Sequence, residues 1–268
     1  MIRATHGIAP TTVNWSTPQT KQNNMNRTQS TVSSARSRAG IPIQSISVII
    51  PAYNDETTIG RLVQDTDCLL KEISTDYEIV VINDGSKDGT WGVLQELSKK
   101  FTNLRLIDHP VNQGFGKTIK ELYLAGKKEL VFSLPGDYQF APKELLTMAQ
   151  GLHKNDFVIG HRVKRNDPPR RKLQSNIYNM MLRIFYGCSY QDVNSIKLFR
   201  KEILDTFKLE SDTPFVDAEL CIRARKAGFK VVEIPIEHLP RLSQGASGGK
   251  FSVIWDTFSD LVKMSTRI

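Results

Sequence analysis

Three short stretches of this 268-residue chain gather carboxylates, amides and glycines more densely than a purely structural surface needs. They are Pro51-Ala52-Tyr53-Asn54-Asp55-Glu56, then Asn83-Asp84-Gly85-Ser86-Lys87-Asp88-Gly89-Thr90, then Pro135-Gly136-Asp137-Tyr138-Gln139. A carboxylate such as Asp84 can accept a hydrogen bond from the ring N–H of a nucleobase. A diphosphate beside so many carboxylates would be repelled unless a cation lay between them. Asp137 and Gln139, two residues apart, offer oxygen ligands of the kind that suit Mg²⁺ or Mn²⁺. Each feature also has a plainer reading. Asp-Gly is a common turn dipeptide, and Asp137 could cap a helix that begins near Pro142. Asp217 stands at an expected helix start, where a carboxylate favours the helix dipole. There is no GxGxxG after the first apolar run and no GxxxxGK[ST] anywhere, which disfavours dinucleotide oxidoreductases and P-loop nucleotidases.

Each stretch follows an apolar run short enough to be a buried strand. Ile46-Ser47-Val48-Ile49-Ile50-Pro51 precedes the first, residues 77–82 the second and residues 129–134 the third, with a further strand over 104–107. Between them, helical spacing is expected over residues 57–73, 89–101 and 116–125. Strands alternating with helices imply an α/β fold, a mostly parallel sheet with helices on both faces. In such sheets ligands bind beyond the carboxyl ends of the strands, which is where the three stretches fall. The second half is less regular. Helices are expected over 142–153, 174–186 and 215–227, and strands over 157–160, 195–199 and 230–236. A final amphipathic helix carries Phe251, Ile254, Trp255, Phe258, Leu261 and Val262 on one face.

The ordered series is specific. SVIIPAYN over 47–54, INDGSKDGT over 82–90 and NQGFG over 112–116 resemble the inverting GT-A glycosyltransferases of family 2. GDYQ over 136–139, GHR over 160–162, the segment 192–200, FVDAEL over 215–220 and KVVEIP over 230–235 extend the likeness. This second set is most similar to the polyprenyl-phosphate (dolichyl-phosphate sugar synthase) branch. The resemblance covers residues 46–250 and implies a nucleotide-sugar donor, UDP- or GDP-hexose, with Mg²⁺ or Mn²⁺. It implies that Pro51, Tyr53 and Glu56 border the nucleoside and that Asp84 contacts the base, with Gly85 and Ser86 shaping the turn. Gly114 and Lys117 would lie near the donor, and Asp137 and Gln139 would hold the metal. Arg162, with Arg171 and Ser175, would bind a phosphate, and Arg241 and Ser247 would lie on a loop that closes over the site. Asp217 and Glu219 would face the reacting centre. One departure stands out: the family's metal motif often begins with an Asp where this chain has Pro135, so Asp137 must supply the carboxylate alone.

Three function classes follow. A lipid-phosphate acceptor is already an anion and needs no base, whereas a saccharide or small hydroxyl acceptor does, with Asp217 as candidate. Pro135 raises the third class, a pseudo-enzyme that binds nucleotide without transfer. The net charge of +8 is concentrated at the start: Arg3, Lys21, Arg27, Arg36 and Arg38 all precede Asp55, the first acidic residue. The remainder is mildly basic and carries no nucleic-acid-binding motif, so no nucleic-acid partner is expected. The expected organisation is a disordered basic tail over 1–43, which resembles a transit peptide in composition alone. A catalytic domain over 44–249 and the amphipathic helix over 250–268 follow. No apolar run reaches the 18 or so residues that cross a bilayer. The last helix, with Lys250, Lys263 and Arg267 beside its aromatics, could pack on the core or lie on a membrane. A cytoplasmic protein, peripheral on the membrane or working with a membrane partner, is the expectation.

Overall fold

The computed structural model describes residues 43–163, 169–240 and 251–267, with the side chains of 169–173 and 251–254 set aside. Of the expected basic tail only Ile43 falls within these bounds, and it is buried as part of an apolar core cluster.

Seven strands form one sheet in the order β3-β2-β1-β4-β6-β5-β7. They are β1 (Ser45–Ala52), β2 (Asp76–Asn83), β3 (Leu104–Asp108), β4 (Leu130–Ser133), β5 (Phe157–Arg162), β6 (Lys197–Arg200) and β7 (Val231–Ile236). All pairs are parallel except the two that β6 makes, with β4 and β5. The central strand β1 is apolar on both faces, as a strand covered on both sides must be. Ile46, Val48 and Ile50 pack with α1 (Ile59–Ile73), α2 (Thr90–Ser98) and α4 (Glu144–Leu152). Ile49 packs on the opposite face with α3 (Phe115–Ala125) and α6 (Val216–Lys226). In α1, the buried positions Ile59, Leu62, Val63, Thr66 and Leu70 recur at helical spacing, and Thr58 Oγ1 bonds the Asp55 carbonyl at the helix start.

Helix α6 is buried on two sides. Val216, Leu220 and Ala224 meet the sheet. Ala218 and Ile222 meet a third apolar cluster with Leu182 and Tyr186 of α5 (Pro169–Tyr186) and Leu261 and Met264 of α7 (Phe251–Met264). The single apolar face expected for the last helix is therefore divided. Leu261 is buried, Phe258 is half-buried, and Trp255 and Val262 face outward.

The reversal at β6 has a local consequence. Because β6 runs against β4, its first residue, Lys197, lies beside Ser133, the last of β4, and its backbone N–H donates to Ser133 Oγ at 2.9 Å. A cation is thereby brought to the same sheet edge as the β4 exit.

Candidate active site

The exits of β1 and β2 hold one another. Asn54 N–H donates to Ser86 Oγ at 3.0 Å and Lys87 N–H to Asn54 Oδ1 at 2.8 Å. Glu56 Oε2 takes Gly89 N–H at 2.6 Å, and Asp55 N–H donates to Thr90 Oγ1 at 2.8 Å. Asn54 reaches these partners at φ 55, a left-handed conformation that Asn tolerates. Glu56 and Ser86 thus spend these groups on the loop itself, while Pro51 and Tyr53 are half-buried beside it.

Asp84 is buried, and its carboxylate is well supplied with donors. Oδ1 accepts Gln113 N–H at 2.8 Å and lies 2.9 Å from His109 Nδ1. Oδ2 accepts Gly114 N–H at 3.0 Å. The 84–86 turn presses on 111–112: a Cβ at Gly85, whose φ is 64, would come within 2.4 Å of Asn112 N. Gly114 opens α3, and Lys117 stands exposed in its first turn. These contacts bring Asp84, Gly85, Ser86, Gly114 and Lys117 to one edge, joining the exits of β2 and β3 to the start of α3.

The β4 exit is a tight turn. Tyr138 has φ 56, and Asp137 Oδ1 accepts the Gln139 N–H at 3.1 Å. The turn is anchored on both sides. Tyr138 OH donates to Asp65 Oδ2 at 2.5 Å, with the Arg61 guanidinium 5.0 Å from the ring centre. Burial, then the Asp65 bond, pushes the Tyr138 phenol up to about 12, so it remains a donor. Leu239 N–H donates to the Gln139 carbonyl. Asp137 and Gln139 themselves are half-buried. Their carboxylate and amide oxygens are hard ligands that fit Mg²⁺ or Mn²⁺, with phosphate and water needed to complete a shell. No group of three His, Cys, Asp or Glu side chains suited to a metal occurs among the described residues.

In the second half, Arg162 at the end of β5 makes a two-pronged pair with Asp192: Nε to Oδ2 and Nη2 to Oδ1, both at 2.6 Å. Arg162 lines a cleft of about 620 Å³ together with Ser175, Asn179, Met180, Arg183 and Tyr190. Burial pushes the Tyr190 phenol up to about 12. Beside the cleft, Ile177, Met180 and Ile184 of α5 point outward. Arg241 and Ser247, and the side chain of Arg171, lie outside the described residues.

Asp217 and Glu219 are not turned toward this cleft. Asp217 is only 2 % exposed, with Oδ1 at 3.0 Å from Lys197 Nζ and accepting Tyr123 OH at 2.5 Å. Burial, then the Asp217 charge, pushes the Tyr123 phenol well up, which keeps it a donor. Glu219 is fully buried and accepts Glu210 N–H, Ser211 N–H and Arg223 Nε. A carboxylate so enclosed is an internal anchor, and the reason is local: both residues begin a helix that is covered on two sides. Sequence reasoning passed over Lys197, Tyr123 and His109. His109 follows β3, so the carboxyl-edge rule applied to that strand would have found it. Lys197, a lone cation in the run Ser195-Ile196-Lys197-Leu198-Phe199, was the other signal.

The family model for glycosyl transferase family 2 matches residues 47–227. The chain belongs to glycosyl transferase family 2. It is a glycosyltransferase, and its likeness to the polyprenyl-phosphate branch is carried by curated relatives. A dolichyl-phosphate β-glucosyltransferase of Trichomonas vaginalis is 28% identical over 241 residues, 83% of this chain and 71% of that protein. An undecaprenyl-phosphate 4-deoxy-4-formamido-L-arabinose transferase of Pseudomonas fluorescens is 27% identical over 210 residues, 75% of this chain but 59% of that protein. Solved structures of glucosyl-3-phosphoglycerate synthase from Mycobacterium tuberculosis share the fold. The complex with UDP gives a TM-score of 0.65 at 16% identity, covering 88% of this chain and 83% of that one. The complex with Mn²⁺ and UDP-glucose gives 0.65 at 17%, with the same coverage. The glycosyltransferase thus has the GT-A-type α/β fold expected from its sequence. No helix among its described residues is long and apolar enough to cross a membrane.

Proposed function

We propose that this glycosyltransferase moves a hexose from a UDP- or GDP-sugar to a polyprenyl phosphate, with inversion at the anomeric carbon. The observation that carries this reading is the Arg162 cleft: guanidinium, hydroxyl and amide groups among its lining residues, and an exposed apolar helix face alongside. Arg162 and Arg183 suit a phosphate, and Ile177, Met180 and Ile184 suit the hydrocarbon attached to it. Arg171, Arg241 and Ser247 would add to the phosphate site. A lipid phosphate also fits the enclosure of Asp217, because an anionic acceptor needs no proton removed. The saccharide reading, which needs Asp217 as an exposed base, is correspondingly weaker.

The nucleoside would lie against Pro51, Tyr53 and the Asp84–Ser86 turn, with Lys117 and the start of α3 toward the diphosphate. Asp137 and Gln139 would hold a divalent cation, which offsets the charge that collects on the leaving diphosphate. The acceptor phosphate oxygen attacks the anomeric carbon from the face opposite the nucleotide. The new carbon–oxygen bond forms as the old one breaks, and its electron pair leaves on the nucleoside diphosphate. Arg162 orients the attacking phosphate. The exposed face of α5 would rest on a lipid surface, which would keep the protein peripheral at the membrane.

Calorimetry of UDP and GDP binding with and without Mn²⁺ tests the donor half. Metal-dependent binding of one nucleotide is expected, and Asp137→Ala should weaken it by about a hundredfold, as loss of a carboxylate ligand would. Failure of both nucleotides to bind the folded protein would overturn the donor-site reading, whereas nucleotide binding without transfer or donor hydrolysis would turn the functional reading toward the pseudo-enzyme. Transfer to a polyprenyl phosphate in detergent, absent with saccharides, tests the acceptor half.

A further inference from the structure

His109 is buried at the end of β3 with a carboxylate at each ring nitrogen. Nδ1 lies 2.9 Å from Asp84 Oδ1 and Nε2 lies 3.0 Å from Glu121 Oε2. Each ring nitrogen thus lies within hydrogen-bond distance of a carboxylate oxygen, and a nitrogen that carries its hydrogen donates to the oxygen it faces. The ring bridges the two carboxylates.

The two carboxylates have different surroundings. Asp84 is enclosed, and its side chain is 5% exposed; Glu121, two turns along α3, is 42% exposed. The same Asp84 oxygens receive the N–H groups of Gln113 and Gly114, which lead into α3. Asn112 Nδ2 closes the ring of contacts on the Asp84 carbonyl at 3.0 Å. Glu121, His109 and Asp84 therefore tie the body of α3, through the sheet edge, back to that helix's own start. Asp84 has little freedom of its own. Its orientation is the one His109 and the two amides allow.

We propose that His109, steadied by Glu121, is a positioning residue for the donor nucleotide: it fixes the Asp84 carboxylate and, through it, the 112–114 segment and the first turn of α3. The inference rests on the donor-site reading above. It does not require His109 to touch the nucleotide. Without its N–H, Asp84 Oδ1 keeps one donor, and the turn that borders the base loses its fixed register. The acceptor cleft, on the far side of β4, does not depend on it.

The test is nucleotide affinity by calorimetry, with donor and acceptor KM, for the full chain and three variants. His109→Phe keeps a ring of similar size and removes both ring nitrogens. It should weaken nucleotide binding and raise donor KM by about tenfold, the loss expected when a buried acceptor forfeits its partner. Acceptor KM should stay within about twofold, below the roughly tenfold that a lost contact of 1.4 kcal/mol would give. His109→Gln retains an N–H that can reach Asp84 and should recover most of the affinity. Glu121→Ala, on a half-exposed helix surface, keeps the fold and should weaken binding in the same sense by about threefold. Wild-type affinity in the folded variants would overturn the inference, as would equal changes in donor and acceptor KM. Absence of nucleotide binding by the wild type itself would instead overturn the donor-site reading, and this inference with it.

Discussion

Lys197 and Asp217 meet at 3.0 Å with essentially no exposure of either side chain. Two charges buried together are tolerated because they compensate, and removing one leaves the other stranded. Lys197→Met should therefore lower the unfolding free energy in urea by about 3–5 kcal/mol, and Lys197→Met with Asp217→Leu should recover most of it. Unchanged stability of Lys197→Met would overturn this reading of the pair. Asp88 offers a pH test of the β1–β2 latch. Burial pushes its carboxyl up, but the Thr90 hydroxyl, the Thr90 amide and the Glu56 amide outweigh burial and hold it below the usual range. A depressed folded value means that its contribution is present in full above the ordinary carboxylate value. It is lost as pH falls through that value toward the depressed one. The thermal midpoint of Asp88→Asn should lie below wild type at neutral pH, and the gap should close below about pH 4.

Among the elements, α3 shows how tightly the site is packed. A Cβ at Gly116 would come within 2.2 Å of the Thr213 carbonyl carbon and 2.5 Å of the Asp212 carbonyl oxygen. These are backbone atoms, so neither yields cheaply. Gly116→Ala should lower the thermal midpoint and weaken nucleotide binding together, because the displaced helix carries Gly114 and Lys117. On α5, Ile184 is 68% exposed on the face beside the cleft. Ile184→Asp should leave the fold intact and reduce transfer to a polyprenyl phosphate embedded in liposomes, while sparing a short-chain acceptor in detergent. The helices of the first half were legible because each buries one apolar stripe at regular spacing, as α1 does through Ile59, Leu62, Val63 and Leu70. The direction of β6 was not. Four residues, Lys197–Arg200, have the same apolar pattern whichever way they run, and only their neighbours β4 and β5 decide it. For a related reason, the outer face of α7 differs from the single apolar stripe expected. Its period was readable, but α5 and α6 determine which part of the stripe is covered, and they take Leu261 and Met264 rather than Trp255.

For the whole molecule, the sheet order β3-β2-β1-β4-β6-β5-β7 gathers loops distant in sequence along one edge. The sequence revealed that edge through its acidic and glycine-rich stretches, since those residue types stand where strands end. It revealed much less about which of them pair with one another. Asp217 and Glu219 carry the residue types of a reacting centre, yet burial and their partners turn both inward. The far end of the chain takes part in this arrangement too. Asp260 of α7 accepts the hydroxyls of Ser211 at 2.7 Å and Thr213 at 3.0 Å, and Tyr186 of α5 donates to the Leu261 carbonyl. Residues 212–213 are the same ones that press on Gly116. The terminal helix therefore braces the wall against which the nucleotide helix leans, so a tug at one is transmitted to the other through a span of three residues. Trimming the chain ahead of α7 would slacken a pocket whose residues all remain in place.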